Sequence, residues 1–180
     1  MENPSRPSRS PRPHPALTSL LLGLIACDEG ASPAPSPGDT RCGSGALTLA
    51  LGIDRPFAAH EGPFAIEAGL QGGYHFDVSI RSQGALDPDH VDIELTLLQD
   101  GIARARHLTA DWLLTIDGNG PWCDYTKARL VLVGEDGGLL PRERLSEVVA
   151  GPLVLEVKLD SPAGSGEATL PIELELTPGI

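Results

Sequence analysis

The residues able to do chemistry are few, and their spacing limits what they do. Four histidines lie beyond residue 26: His60, His75, His90 and His107. None forms H-x-H or H-x-x-x-H, the spacings that put two imidazoles on one strand or helix face, so no transition-metal motif exists. Ser44 and Ser165 each sit in G-S-G. Position 42 is Cys and position 163 is Ala, so the G-x-S-x-G frame of a nucleophile elbow is missing. No C-x-x-C occurs, which leaves thiol redox catalysis and structural zinc without support. The chain has two Trp, two Tyr and three Phe, too few for the aromatic platforms of a sugar hydrolase. A non-enzymatic role without a cofactor is the expectation; a periplasmic hydrolase is the rival.

Two sets of oxygen ligands stand out. Asp117, Asn119 and Asp124 fall on one loop, and Asp87, Asp89 and Asp92 on another. Hard oxygens on loops suit calcium, which would make a calcium-dependent adhesion module. The D-x-[DN]-x-[DN]-G frame is absent, however, and Asx-Gly clusters are primarily turn chemistry. A third feature is Gln71-Gly72-Gly73-Tyr74-His75 through Arg81. Its glycines make a turn, and His75, Asp77, Ser79 and Arg81 then share one strand face. That face is a candidate polar binding surface, against the simpler alternative of a solvated sheet face.

Lys plus Arg number 13 and Asp plus Glu 25, a net charge of −12. Nucleic acid is excluded as a partner, because a basic footprint is needed to displace counterions from phosphate. A polybasic membrane-surface module is excluded likewise. Hydrophobic residues make up 41 %, enough for a core.

The elements that would position these residues begin late in the chain. Residues 1–15 hold Arg6, Arg9, Arg12 and five prolines, and an apolar stretch runs from Ala16 to Ala26. It is shorter than the roughly 20 residues a bilayer span needs and has the layout of a secretory signal over 1–26. Leu24-Ile25-Ala26-Cys27 resembles the lipobox of bacterial lipoproteins. The resemblance implies cleavage before Cys27, acylation of that cysteine with palmitate-type chains, and a membrane partner through the lipid. The protein would then be exported and anchored to the cell membrane or outer membrane, facing the periplasm or the surface. Asp28 resembles the inner-membrane retention signal of enteric bacteria. The processed chain would carry 10 − 24 = −14. The Gln71–Arg81 stretch is similar to a Q-G-G-x-H-…-R stretch in exported lipoproteins of high-GC Gram-negative bacteria, a likeness that brings no activity with it. The Arg-over-Lys ratio of 11 to 2 fits such a genome.

Residues 27–45 are rich in Pro, Gly, Ser and Ala and read as a lipidated flexible tether. With Cys27 acylated, Cys42 and Cys123 remain, and two cysteines in an exported domain are expected to pair. From residue 46 to 180 strict alternation sets in, the mark of half-buried strands. It covers 47–53, 64–68, 74–81, 91–97, 153–159 and 170–176, with weaker strands at 102–108, 111–116 and 127–134. Turn signals such as Asp100-Gly101 separate them. The expectation is an all-β, antiparallel Ig-like β-sandwich of eight or nine short strands, with a small closed barrel as the alternative. One short helix is expected near 141–150, and Pro171 should mark an edge strand or a bulge. The acidic surface favours a cationic protein partner in the envelope, with encounter rates that fall with salt.

Overall fold

The computed structural model describes residues 41–70 and 72–179; the expected signal segment 1–26, Cys27 and the tether up to residue 40 lie outside the described residues. The strands are β1 (Thr48–Ile53), β2 (Ala58–Ala59), β3 (Phe64–Ala68), β4 (Tyr74–Gln83), β5 (Val91–Gln99), β6 (Ile102–Trp112), β7 (Thr115–Asp117), β8 (Trp122–Val131), β9 (Leu153–Ser161), β10 (Gly164–Ile172) and β11 (Leu174–Leu176). The short helix α1 spans Leu145–Val149, led in by a 3-10 turn at Arg142–Arg144. The described strands number eleven rather than eight or nine. The surplus is β2, and the division of the last apolar run into β10 and β11.

One sheet is built on β4. One edge of β4 pairs with β8, and β8 pairs in turn with β7. The other edge is shared: β1 pairs with Ser79–Gln83 and β3 with Tyr74 and His75. The second sheet has the order β10-β9-β5-β6 and is antiparallel throughout. With the usual strand letters, β1 and β3 are A, β4 is B, β5 is C, β6 is C′, β7 is D, β8 is E, β9 is F and β10 is G. A-B-E-D therefore faces G-F-C-C′, an Ig-like sandwich rather than a closed barrel. Pro171 lies on the edge strand β10, where its missing N–H interrupts no central ladder. Just beyond it the chain changes sheets. Ile172 still pairs with Leu153, whereas Leu174 pairs in parallel with Phe64, and Phe64 N–H donates to Glu173 O at 2.8 Å.

Alternation explains the core. Phe76, Val78 and Ile80 of β4 face Ile93, Leu95 and Leu97 of β5 and Leu155 and Val157 of β9, all essentially buried. Each such side chain contributes about 1.5–3 kcal/mol by leaving water. The helix closes one end with Leu145 and Val148, both buried. Its last carbonyls are not left orphaned: Gln99 Nε2 donates to Glu147 O at 2.9 Å and Val148 O at 3.2 Å. Gln99 Oε1 in turn accepts from buried Arg104.

Cys42 and Cys123 form a disulfide with Cα atoms 5.2 Å apart. Both cysteines are fully buried. The bridge ties the first described residues to β8, within one sheet, instead of joining the two sheets. Arg41 beside it binds Asp89 through two hydrogen bonds. A disulfide fits an oxidising compartment. Among the described residues no helix is long and apolar enough to cross a membrane.

Candidate functional site

The outer face of β4 carries His75, Asp77, Ser79 and Arg81, as the alternation requires. β8 lies alongside and sets their neighbours: Asp77 opposes Arg129, and Arg81 opposes Asp124. Both are opposite charges directly across an antiparallel pair, the arrangement that stabilises a sheet surface.

Arg81 is the centre of the face. Its Nε donates to Asp124 Oδ1 at 2.8 Å, and its Nη2 donates to Asp124 Oδ2 at 2.8 Å and to Asp117 Oδ2 at 2.7 Å. The Phe57 ring lies 4.4 Å and the Trp122 ring 5.8 Å from its guanidinium carbon. The Arg81 pKa is raised, first by the hydrogen bond to Asp124. Asp117 is held below the ordinary carboxylate value, first by the Asn119 backbone N–H and then by Arg81. Asp117, Asn119 and Asp124 therefore do not form an open oxygen cage. Asn119 caps Asp117 through its backbone N–H and side-chain amide, and the cation between the two carboxylates is the protein's own guanidinium. The second loop is similarly engaged. Asp87 Oδ1 accepts from Asp89 N–H, Asp89 binds Arg41, and Asp92 Oδ1 accepts from Asp111 N–H.

Asp77 holds Arg129 through two hydrogen bonds of 3.0 and 3.1 Å. Ser79 is fully buried. Its hydroxyl donates to Asp54 O and accepts from Lys127 N–H, both at 3.1 Å. It thereby fills the β-bulge at which the β4–β8 register shifts.

The other histidines have local partners. His60 Nε2 lies 3.1 Å from Pro63 O, and its ring packs on Phe64. His107 Nδ1 faces Arg129 O at 3.2 Å, so that nitrogen carries the proton. Its Nε2 then accepts from the Tyr125 hydroxyl at 2.6 Å, with Thr109 Oγ1 3.1 Å from both. The cluster clips β6 to β8.

His90 Nδ1 meets Asp111 Oδ1 at 2.7 Å on the surface. Its pKa is raised, first by the hydrogen bond to Asp111 and then by that carboxylate's charge. A folded value above the unfolded one means the pair supports the fold below the ordinary histidine value and ceases to do so as pH rises through the folded value. In an NMR titration of the imidazole protons, Asp111→Asn should move the His90 midpoint downward. An unchanged midpoint would remove Asp111 as the cause.

Among the sequence-derived candidates the structure thus brings Arg81, Asp117 and Asp124 into one network and sets Asp77 apart with Arg129. His75 joins neither network. Sequence reasoning missed the Arg81 clamp, for which the only signal was an opposite-sign residue on each of two strands of unassigned register. Compared with models of known protein families, with curated proteins and with solved structures, the chain matches none.

Proposed function

We propose that the chain is a lipid-anchored cell-envelope protein whose Ig-like domain has a binding or structural role and does not turn over a substrate. The observation that carries this reading is the fastening of residues 41 and 42. A segment leading from a lipid on Cys27 would enter the domain there, at a disulfide to β8 and a pair of hydrogen bonds to Asp89. Any pull from an anchor would thus pass into a central strand pair rather than peel an edge. The polar groups suited to catalysis are mostly engaged in cross-strand pairs, which supports a scaffold over an enzyme. Loops at both ends of a rigid sandwich suit recognition, and the net charge of −12 favours a cationic partner.

The test is the anchor. Cys27→Ser should abolish incorporation of a labelled fatty acid and shift the protein from the detergent phase to the aqueous phase. Retention of either property in the variant would overturn the reading.

A further inference from the structure

One cross-strand pair departs from the opposite-charge pairing of β4 and β8. Asp92 of β5 and Asp160 of β9 are register partners, and both are exposed. Residues directly opposed on one face of an antiparallel pair have Cβ atoms about 4.5–5.5 Å apart, and like charges there destabilise the sheet. Asp92 accepts the Asp111 N–H through one oxygen. Among the described residues neither aspartate has an ion pair, and the Asp160 carboxylate has no hydrogen bond either. In the other sheet the fold answers the same problem with the Arg81 guanidinium, set between Asp117 and Asp124. No described cation does this for Asp92 and Asp160. Arg106 is held by Glu94 through two hydrogen bonds, and Lys158 stands opposite Glu94 on one side and Glu167 on the other.

The two aspartates border apolar surface. A groove of about 580 Å³ on the outer face of this sheet is lined by Asp92, Glu94, Leu108, Ala110, Lys158 and Asp160. Leu108 lies in the middle of β6, opposite Glu94, and is 59 % exposed. Ala110 beyond it is exposed as well. A single exposed leucine is ordinary. Beside an unrelieved like-charge pair it completes a description of the occupant: a cation for the carboxylates and an apolar group for Leu108. A second copy of this chain does not meet that description, because it would bring the same carboxylates against these.

We propose that the outer face of β9, β5 and β6 docks a basic segment of another protein, with an arginine between Asp92 and Asp160 and an apolar side chain over Leu108 and Ala110. A guanidinium suits the first position because its planar fork meets two carboxylates at once. The apolar contact excludes water beside the charges and strengthens them. This assignment rests on the binding role and the cationic partner proposed above, and it says where on the domain that partner sits.

The experiment titrates a short peptide of alternating arginine and leucine into the isotope-labelled full chain at physiological salt. Backbone amide shifts and the anisotropy of a dye-labelled copy of the peptide report binding. The shifts should concentrate at 92–94, 108–111 and 158–160. Asp160→Lys should weaken binding roughly tenfold and Leu108→Ser roughly threefold. Glu173→Lys makes the same charge change at an exposed position where the chain changes sheets, and it should have little effect. A peptide of alternating arginine and serine should bind more weakly than the leucine peptide. Asp160→Asn relieves the repulsion and should raise the thermal midpoint of the free protein; a lower midpoint would show that the fold itself holds Asp160 and would overturn the assignment. Equal losses from Asp160→Lys and Glu173→Lys, or shifts spread over the whole surface, would overturn it while leaving a cationic partner with a site elsewhere. No binding of either peptide at millimolar concentration would remove the cationic partner too, whereas anchoring is decided separately by Cys27→Ser. Shifts of the same amides on concentrating the protein without peptide would give the face to a second copy and likewise overturn the assignment.

Discussion

Replacing Cys42 and Cys123 together by serine should lower the unfolding free energy by about 4 kcal/mol. The two residues are separated by 81 positions, and closing a loop of that length removes about 4–5 kcal/mol of conformational entropy from the unfolded chain. Both side chains are fully buried, so two serine hydroxyls would also enter an apolar site and add to the loss. For a domain with total stability of about 5–15 kcal/mol, this is a large fraction. Urea unfolding of the oxidised protein, the double variant and the reduced wild type checks it. The variant and the reduced protein should shift to a lower midpoint by similar amounts. Coincident midpoints with and without reductant, or two alkylatable thiols in the native protein, would sink the idea.

That bridge also bears on the binding role proposed above. Gly84 N–H donates to Cys42 O at 2.7 Å, and Ser82 donates its hydroxyl to Cys123 O at 2.9 Å. The point where the described chain begins is therefore held by β4 and β8 at once. Cutting the disulfide should loosen this end first, while the opposed apolar faces of β4, β5 and β9 hold the centre. On that proposal the domain keeps its loops in fixed relation to its entry point, as presentation to a partner would require.

Most of the strands were legible because alternation survives wherever one face meets the core and the other meets water. β4 and β5 show it along nearly their full length. The ends of β8 and β6 were blurred by bulges. Lys127 and Asp111 adopt positive φ of 59° and 51°; lysine has no preference for that region, and aspartate's tolerance of it does not tell a bulge from a turn. The alternation marks the last run only from residue 170, whereas β10 starts at Gly164. Its glycines have a packing cause: a Cβ on Gly166 would come within 2.5 Å of the Leu47 side chain, and one on Gly164 within 2.5 Å of Ala85 O. The strand passes so close to Leu47, just before β1, and to Ala85, just after β4, that only a bare backbone fits. The polar face was legible as a face, since His75, Asp77 and Arg81 alternate. What each of them meets was not: for His75 that depends on the β3–β4 register, and for Asp77 and Arg81 on the β4–β8 register, which a bulge opposite Ser79 resets. The disulfide needed no register at all, only the expectation that two cysteines left in one domain pair.

Arg81→Met should cost about 2–3 kcal/mol at neutral pH, well above the loss for an ordinary surface ion pair. The Asp124 side chain is 7 % exposed and the Arg81 side chain 20 %. Removing the guanidinium strips the Asp124 carboxylate of both of its hydrogen bonds to Arg81 while leaving it buried. The methionine keeps the packing against Phe57 and Trp122 but not the cation–π attraction. Arg81→Lys should fall between, because an ammonium restores the charge without the planar fork that meets two carboxylates. The effect also carries a pH signature. Asp117 has a lowered folded pKa, in part through Arg81. Its contribution is present above the ordinary carboxylate value and is lost as pH falls through the folded one. The gap between wild type and Arg81→Met should therefore narrow on acidification and stay constant from pH 6 upward to pH 8. Chemical denaturation of the three proteins from about pH 3 to pH 8 measures it. A loss below about 0.5 kcal/mol at pH 7, the level of a solvated pair, would mean that the clamp contributes nothing beyond the sheet itself and would return Asp117 and Asp124 to the pool of carboxylates available to an external cation.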